Sequence, residues 1–295
     1  MLVQWYPGHM NKARKMMEAD LKLIDLVIEI VDARCPLASR NPDIDKMAAN
    51  KDRLVLLNKA DLADNKINEE WIAYFAQKGI KAVLLNSKNK EGLRLVMPAV
   101  REACAKRYEK NAKRGIKNTT IRAMVCGIPN VGKSTFINAF CGKNMAKTGN
   151  KPGVTVGKQW IKINPELEFM DTPGILWPKF EDQRVGMMLA YIGSINDEIL
   201  VREELAGDIL VFLYENYKDS LKMRYNIDDE VFKPLEDEDT FGFTTKQALL
   251  LGAVAMARGC IKRGAEPDIE RAANVFLEEF RNGKIGRISL ERPLS

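Results

Sequence analysis

Residues 127–134 of this 295-residue chain read Gly-Ile-Pro-Asn-Val-Gly-Lys-Ser, a fit to the pattern GxxxxGK[ST]. That pattern demands a buried strand before it and a helix after it. Ile121–Cys126 and Thr135–Phe140 have the composition to supply both. Glycines are needed because the loop N–H groups must turn inward around phosphates, in conformations and at approach distances that a Cβ would block. The expected phosphate-binding set is Gly127, Asn130, Val131, Gly132, Lys133, Ser134 and Thr135. Lys133 would reach the β- and γ-phosphates, and the Ser134 hydroxyl would ligate Mg²⁺. The helix N-terminus adds partial positive charge. The plain alternative is a Gly-rich strand–helix turn that binds nothing.

Further loops stand at the ends of further apolar runs. Ile24–Val31 reads as a strand buried on both faces and ends in Asp32-Ala-Arg-Cys-Pro36. Arg53–Leu57 is a second strand and leads into Asn58-Lys-Ala-Asp61, an NKxD sequence. The Asp61 carboxylate would accept from the N1–H and exocyclic amine of guanine. Adenine lacks that donor pair, and sites of this type discriminate by about 10⁴-fold or more. After a helix over Glu69–Gln77, the strand Lys81–Leu85 ends in Asn86-Ser-Lys88, a loose match to the SAK loop that supports the base. Downstream, Pro152-Gly-Val-Thr155 offers a first-switch threonine for Mg²⁺ and the γ-phosphate. Trp160–Ile163 and Glu166–Met170 read as strands. The second runs into Asp171-Thr-Pro-Gly174, where Asp171 would hold the metal and the Gly174 N–H would sense the γ-phosphate.

The order of these motifs is diagnostic. Ordinary small GTPases run P-loop, first switch, DxxG, NKxD, SAK. Here NKxD and the SAK-like loop precede the P-loop. All these loops lie on one edge of a parallel sheet, so cutting and rejoining the chain preserves the site. The expected fold is therefore α/β, a circularly permuted P-loop GTPase domain with a mostly parallel sheet, over 1–178. A smaller all-α domain over 179–295 would follow it.

NKAD, NSK, GIPNVGKS, PGVT and DTPG in this order, with the opening Trp5-Tyr-Pro-Gly-His-Met10, resemble the bacterial ribosome biogenesis GTPase A family, the YlqF-type permuted GTPases. The likeness is close over the first 178 residues and rests on length and helical character beyond. It implies slow GTP hydrolysis accelerated by the large ribosomal subunit. It also implies docking on the subunit precursor through its rRNA in the GTP state, and release on hydrolysis. It further implies a hydrophobic replacement for the water-orienting Gln after DxxG, here Ile175 and Leu176. His9, the only histidine, is then a candidate to position water, alongside a partner or RNA. Asn130 matches members of related families that place K⁺ beside the phosphates, and an amide carbonyl is a suitable hard ligand.

Charge and composition narrow the partners. Net charge is +6, and residues 101–122 carry eight basic side chains (Arg101, Lys106, Arg107, Lys110, Lys113, Arg114, Lys117, Arg122) against two acidic ones. Such a run is either a solvated face or a footprint for a polyanion. Five cysteines without CxxC spacing argue for free thiols in a reducing compartment rather than a zinc site or disulfide framework. No apolar run approaches the roughly 20 residues of a membrane span, and the N-terminus lacks a secretory pattern, so a cytoplasmic protein with no membrane partner is expected. Oligomeric state is not legible. Helical patterns cover Glu181–Ile192, Ile199–Met223, Ala248–Ala257 and Arg271–Phe280, with Leu205, Ile209, Phe212 and Leu213 spaced to face a core. Arg258, Lys262, Arg263, Arg281, Lys284 and Arg287 would form a basic exit face suited to RNA phosphates. The rival readings are a stand-alone phosphotransferase or ATPase, and a nucleotide switch that recruits a protein or a membrane surface.

Overall fold

The computed structural model describes residues 18–116, 118–142, 159–171, 182–196, 200–231 and 246–293. Its chain divides into two compact units. Among the described residues, one gathers those up to Leu189 together with those from Ser289, and the other those of Ala190–Ile288. The boundary expected between 178 and 179 lies outside the described residues.

The first unit is built on six strands: β1 (Leu26–Asp32), β2 (Asp52–Asn58), β3 (Lys81–Leu84), β4 (Ile121–Cys126), β5 (Gln159–Asn164) and β6 (Leu167–Asp171). They form one sheet in the order β3-β2-β1-β4-β6-β5, in which every pair is parallel except β5 with β6. Each strand expected from the sequence is present, with Ile121–Cys126 unchanged and the ends of the others shifted by no more than two residues. β1 is buried along its whole length, which is why it reads as a nearly unbroken apolar run. Its mid-strand charge, Glu29, is held by the guanidinium groups of Arg40 and Arg53 at 2.9 and 3.0 Å.

Among the described residues, five helices flank this sheet: α1 (Pro42–Met47), α2 (Asn65–Gln77), α3 (Val96–Ala103), α4 (Ala105–Lys113) and α5 (Lys133–Cys141). α2 starts at Asp64, whose carboxylate caps the Lys66 and Ile67 N–H groups. Its apolar face follows at helical spacing. Ile67, Trp71 and Phe75 share one core cluster with Val31, Val55 and Leu57 of the sheet. Trp71 and Phe75 are wholly buried, a contribution on the order of 2 kcal/mol or more for each. α5 is fastened by an aromatic stack in which Phe136 and Phe140 lie 5.9 and 5.6 Å from the Phe169 ring of β6.

Strand order reverses between β1 and β4, so a crevice opens at their C-terminal ends. The register Asp32↔Asn58, Leu57↔Leu84 and Val125↔Asp171 brings the strand ends to one edge. The loops after β1, β2, β3 and β4 leave from there, and β6 ends there.

The second unit is helical. It takes in the end of α6 (Gln183–Tyr191) and all of α7 (Arg202–Asn216), α8 (Lys218–Tyr225), α9 (Lys246–Ala257) and α10 (Ile269–Arg281). The single helix expected over Ile199–Met223 is instead two, broken at Tyr217 (φ −141°, ψ 42°). Asn216 Nδ2 donates to the Phe212 carbonyl at 2.9 Å. Short polar side chains next to the backbone compete with the helical pattern in this way. Leu205, Ile209 and Leu213 are buried as the spacing predicts, whereas Phe212 is half-buried beside the Tyr217 ring. Two members of the expected basic face turn inward. Arg258 pairs with Glu279 at 3.0 Å, and Arg281 donates to the carbonyls of Ala190 and Tyr191. Lys262, Arg263, Lys284 and Arg287 are exposed. Among the described residues, no helix is long and apolar enough to cross a membrane.

Candidate functional site

The loop after β4 carries the geometry its composition requires. Asn130 and Gly132 both take positive φ, 63° and 93°. A Cβ on Gly127 would come within 2.5 Å of the Ile30 carbonyl, and one on Gly132 would collide with Asn58 Nδ2. Ile128 and Val131 are buried beneath the loop, and Lys133 is only 7% exposed at the first position of α5. Ser134 is half-buried beside it, and Thr135 is exposed.

Asn58 joins this loop to the two others. Its Nδ2 donates to the Val131 carbonyl at 2.7 Å, and its Oδ1 accepts from the Ser87 amide and hydroxyl at 3.0 and 2.8 Å. Three loops far apart in sequence therefore meet on one buried amide. Asn86 is buried, and its Oδ1 accepts from the Asn89 N–H at 3.1 Å. Its backbone pairs with Glu91, which closes the loop, while Lys88 projects to solvent. Asp61 lies in the single 3₁₀ turn Ala60–Leu62, half-buried. Its carboxylate makes no hydrogen bond or ion pair with any described residue.

Lys59 adopts left-handed backbone (φ 58°, ψ 35°), and its Nζ sits 2.9 Å from Asp32. Asp32 is wholly buried at the end of β1. It also accepts a forked pair from the Arg34 Nε and Nη2 at 2.9 and 2.8 Å, and the Arg34 amide at 3.1 Å. Burial pushes this carboxyl up, but the charges of Arg34 and Lys59 outweigh it and hold it well below the usual carboxylate range. The expected site residues did not include Asp32 or Arg34. The available signal was a charged Asp-Ala-Arg closing a strand otherwise buried on both faces.

Of the residues expected to hold Mg²⁺, Ser134 lies in the first turn of α5, and Asp171 ends β6 with its backbone opposite Val125 of β4. Among the described residues no cluster of three His, Cys, Asp or Glu converges on a metal-sized space. A sparse, hard-oxygen set fits Mg²⁺, which takes most of its ligands from phosphates and water. His9, Thr155 and Gly174 lie outside the described residues.

The basic stretch 101–122 is partly paired. Arg101 forks onto Glu166, with both contacts at 3.0 Å, Arg107 meets Asp25 at 2.9 Å, and Arg122 lies over the Trp160 ring. Lys106, Lys110, Lys113 and Arg114 on and just after α4 are exposed, with no ion pair among the described residues.

Comparison with known proteins meets this geometry. The family described as "50S ribosome-binding GTPase" matches residues 122–240. Ribosome biogenesis GTPase A of Bacillus cereus is 45% identical over 293 residues, covering 99% of this chain and 95% of its own. The protein of the same name from Thermotoga maritima is 30% identical over 291 residues, with 99% and 95% covered. Among solved structures, GDP-bound YlqF superposes with a TM-score of 0.64 at 26% identity, covering 94% of this chain and 99% of that one. YlqF from T. maritima with GNP bound gives 0.63 at 26%, with 96% and 98% covered. Identity that runs end to end through both units shows that the chain belongs to the ribosome biogenesis GTPase A family, a family of GTPases in ribosome biogenesis.

Proposed function

We propose that this protein binds GTP across the β1/β4 crevice, docks in that state on precursors of the large ribosomal subunit through their rRNA, and is released when it hydrolyses the nucleotide. The observation that carries the reading is the Asn58 junction, which fixes the NKxD, NSK and P-loop segments relative to one another. The similar YlqF structures are GDP-bound and GNP-bound, which supports the nucleotide assignment.

In this reading Asp61 accepts from N1–H and the 2-amino group of guanine. The loop Asn86-Ser87-Lys88 backs the base, and Lys59 lies along it. The backbone of Gly127, Asn130, Val131 and Gly132, with Lys133, Ser134 and Thr135, holds the phosphates against the N-terminus of α5. Ser134 and Asp171, joined by Thr155, hold Mg²⁺. Held there, the ion would supply charge neutralisation for the phosphates. The Asn130 amide oxygen is the ligand offered to K⁺. The Gly174 N–H senses the γ-phosphate, and water is oriented by His9 or by a group the ribosomal particle brings. The exposed lysines of α4 and the cations Lys262, Arg263, Lys284 and Arg287 provide salt-sensitive phosphate contacts with RNA. A cytoplasmic location follows from that partner.

The test is GTP turnover in KCl buffer with and without purified large ribosomal subunits, alongside competition by GDP, ADP and GTP. A low basal rate, a large stimulation and displacement by guanine nucleotides alone support the reading. Intact GTP binding with no stimulation would move it to a switch that recruits another partner, and equal displacement by ADP would return it to an ATPase.

A further inference from the structure

The last described residues return to the nucleotide-binding unit. Ser289 and Leu290 are buried, 4% and 7% exposed. Ser289 Oγ accepts the Asp64 N–H at 3.1 Å, and the Leu290 N–H donates to the Arg34 carbonyl at 2.7 Å. Glu291 places one carboxylate oxygen on two backbone donors, Leu37 N–H at 2.7 Å and Ala38 N–H at 3.2 Å. The tail thus bonds to the backbone of two loops, the one after β1 and the one between β2 and α2.

Those loops bracket Asp61. On one side, Arg34 grips Asp32, and Asp32 grips Lys59, two residues before Asp61. On the other, Asp64 caps α2 three residues after Asp61, and its amide is held by Ser289. Asp61 occupies the one turn between these anchors, and its carboxylate has no hydrogen-bond partner of its own among the described residues to fix it. Its aim is therefore set by the anchors.

We infer that the tail Ser289–Glu291 is a positioning element for base recognition, with Glu291 the positioning residue that holds the Arg34–Asp32–Lys59 relay and, through it, the reach of Asp61 to the base. A carboxylate accepting two N–H groups in a desolvated setting fixes a loop far more tightly than a solvated contact. The inference rests on the assignment of Asp61 to guanine.

Two nucleotides separate the inference from its foundation. Inosine diphosphate is GDP without the 2-amino group, so the ratio of the two affinities reports how well the Asp61 carboxylate meets both of its donors. Titrations with GDP and inosine diphosphate would be run on the wild-type chain and on the Glu291→Ala, Glu291→Gln and Ser289→Ala variants, each checked for folding by circular dichroism. Expected is a clear preference for GDP in the wild type, retained in Glu291→Gln, whose amide oxygen still accepts both N–H groups. In Glu291→Ala the GDP affinity should fall by about tenfold and that for inosine diphosphate, which keeps only the N1–H donor, by clearly less, shrinking the ratio. Ser289→Ala should shift the ratio the same way and less. If Glu291→Ala weakens both nucleotides equally, or neither, the tail is a structural clasp and the inference is wrong. If Glu291→Ala does not fold, an unchanged ratio in Ser289→Ala overturns it alone. A wild type blind to the 2-amino group would instead sink the guanine assignment, and the inference with it.

Discussion

Asn58 Nδ2 lies 2.7 Å from the carbonyl oxygen of Val131, 73 residues away, and the same amide takes both donors of Ser87 on its oxygen. All of these atoms are buried, so removing the amide strands one acceptor and two donors. Each stranded group costs about 1–3 kcal/mol. Asn58→Ala should therefore weaken GDP binding by about 10²-fold or more and lower the melting temperature as well. Isothermal titration and a thermal melt check the two parts. Unchanged affinity would mean the three loops need no common brace.

Gly132 faces that brace from the other side. At φ 93° it sits where an L side chain is strained, and a Cβ would run into Asn58 Nδ2. Gly132→Ala should cost about 1–3 kcal/mol in backbone strain and displace the Asn58 amide, abolishing tight nucleotide binding. Gly79 is the control. It too has positive φ, 69°, but a Cβ there meets nothing within 4 Å. Gly79→Ala should lose a comparable amount of stability and keep its nucleotide affinity. Equal loss of binding in both variants would make the effect global rather than local.

Asp61 makes the base assignment reversible. Its carboxylate makes no hydrogen bond or ion pair with a described residue, and a carboxylate suits two donors on the base edge. Xanthine replaces the 2-amino donor with a carbonyl acceptor, which the mixed donor and acceptor of an amide can meet. Asp61→Asn should lose GDP affinity by about 10²–10⁴-fold and gain affinity for xanthosine diphosphate. Displacement of a fluorescent nucleotide reads both. A variant that still prefers GDP would remove Asp61 from the site.

The strand ends and the loops that follow them were legible because each depends on local chemistry. A two-faced buried strand must be apolar throughout, and a phosphate loop must carry glycine where φ is positive. What the sequence hid was set by distant partners. Nothing near Glu291 says that its carboxylate meets the Leu37 and Ala38 amides, more than 250 residues upstream. Arg258 and Arg281 look like members of an exposed basic face until Glu279 and the α6 carbonyls are in place to receive them. The break at Tyr217 was locally encoded but weakly so, since an Asn near a helix end is common and only sometimes stops the helix.

Glu279 gives the helical unit an acid limit. It stands on α10, 8% exposed. It accepts from Arg224 Nη2 at 2.6 Å, from the Tyr225 hydroxyl at 2.9 Å and from Arg258 Nη2 at 3.0 Å, so one carboxylate ties α8 and the end of α9 to α10. Burial pushes the carboxyl up, but these donors outweigh it and bring it down to about 2, from an ordinary 4.5. A carboxyl depressed on folding favours the folded state fully above its unfolded pKa. That stabilisation drains away as pH falls from about 4.5 to about 2, because the unfolded chain takes up the proton first. Glu279→Gln should cost about 3 kcal/mol near neutral pH, where two guanidinium groups lose their charge partner. Melts of both proteins across this range should converge as the wild type is protonated. A gap between them that stays constant down to about pH 2 would show that the carboxylate's charge does not hold these helices together.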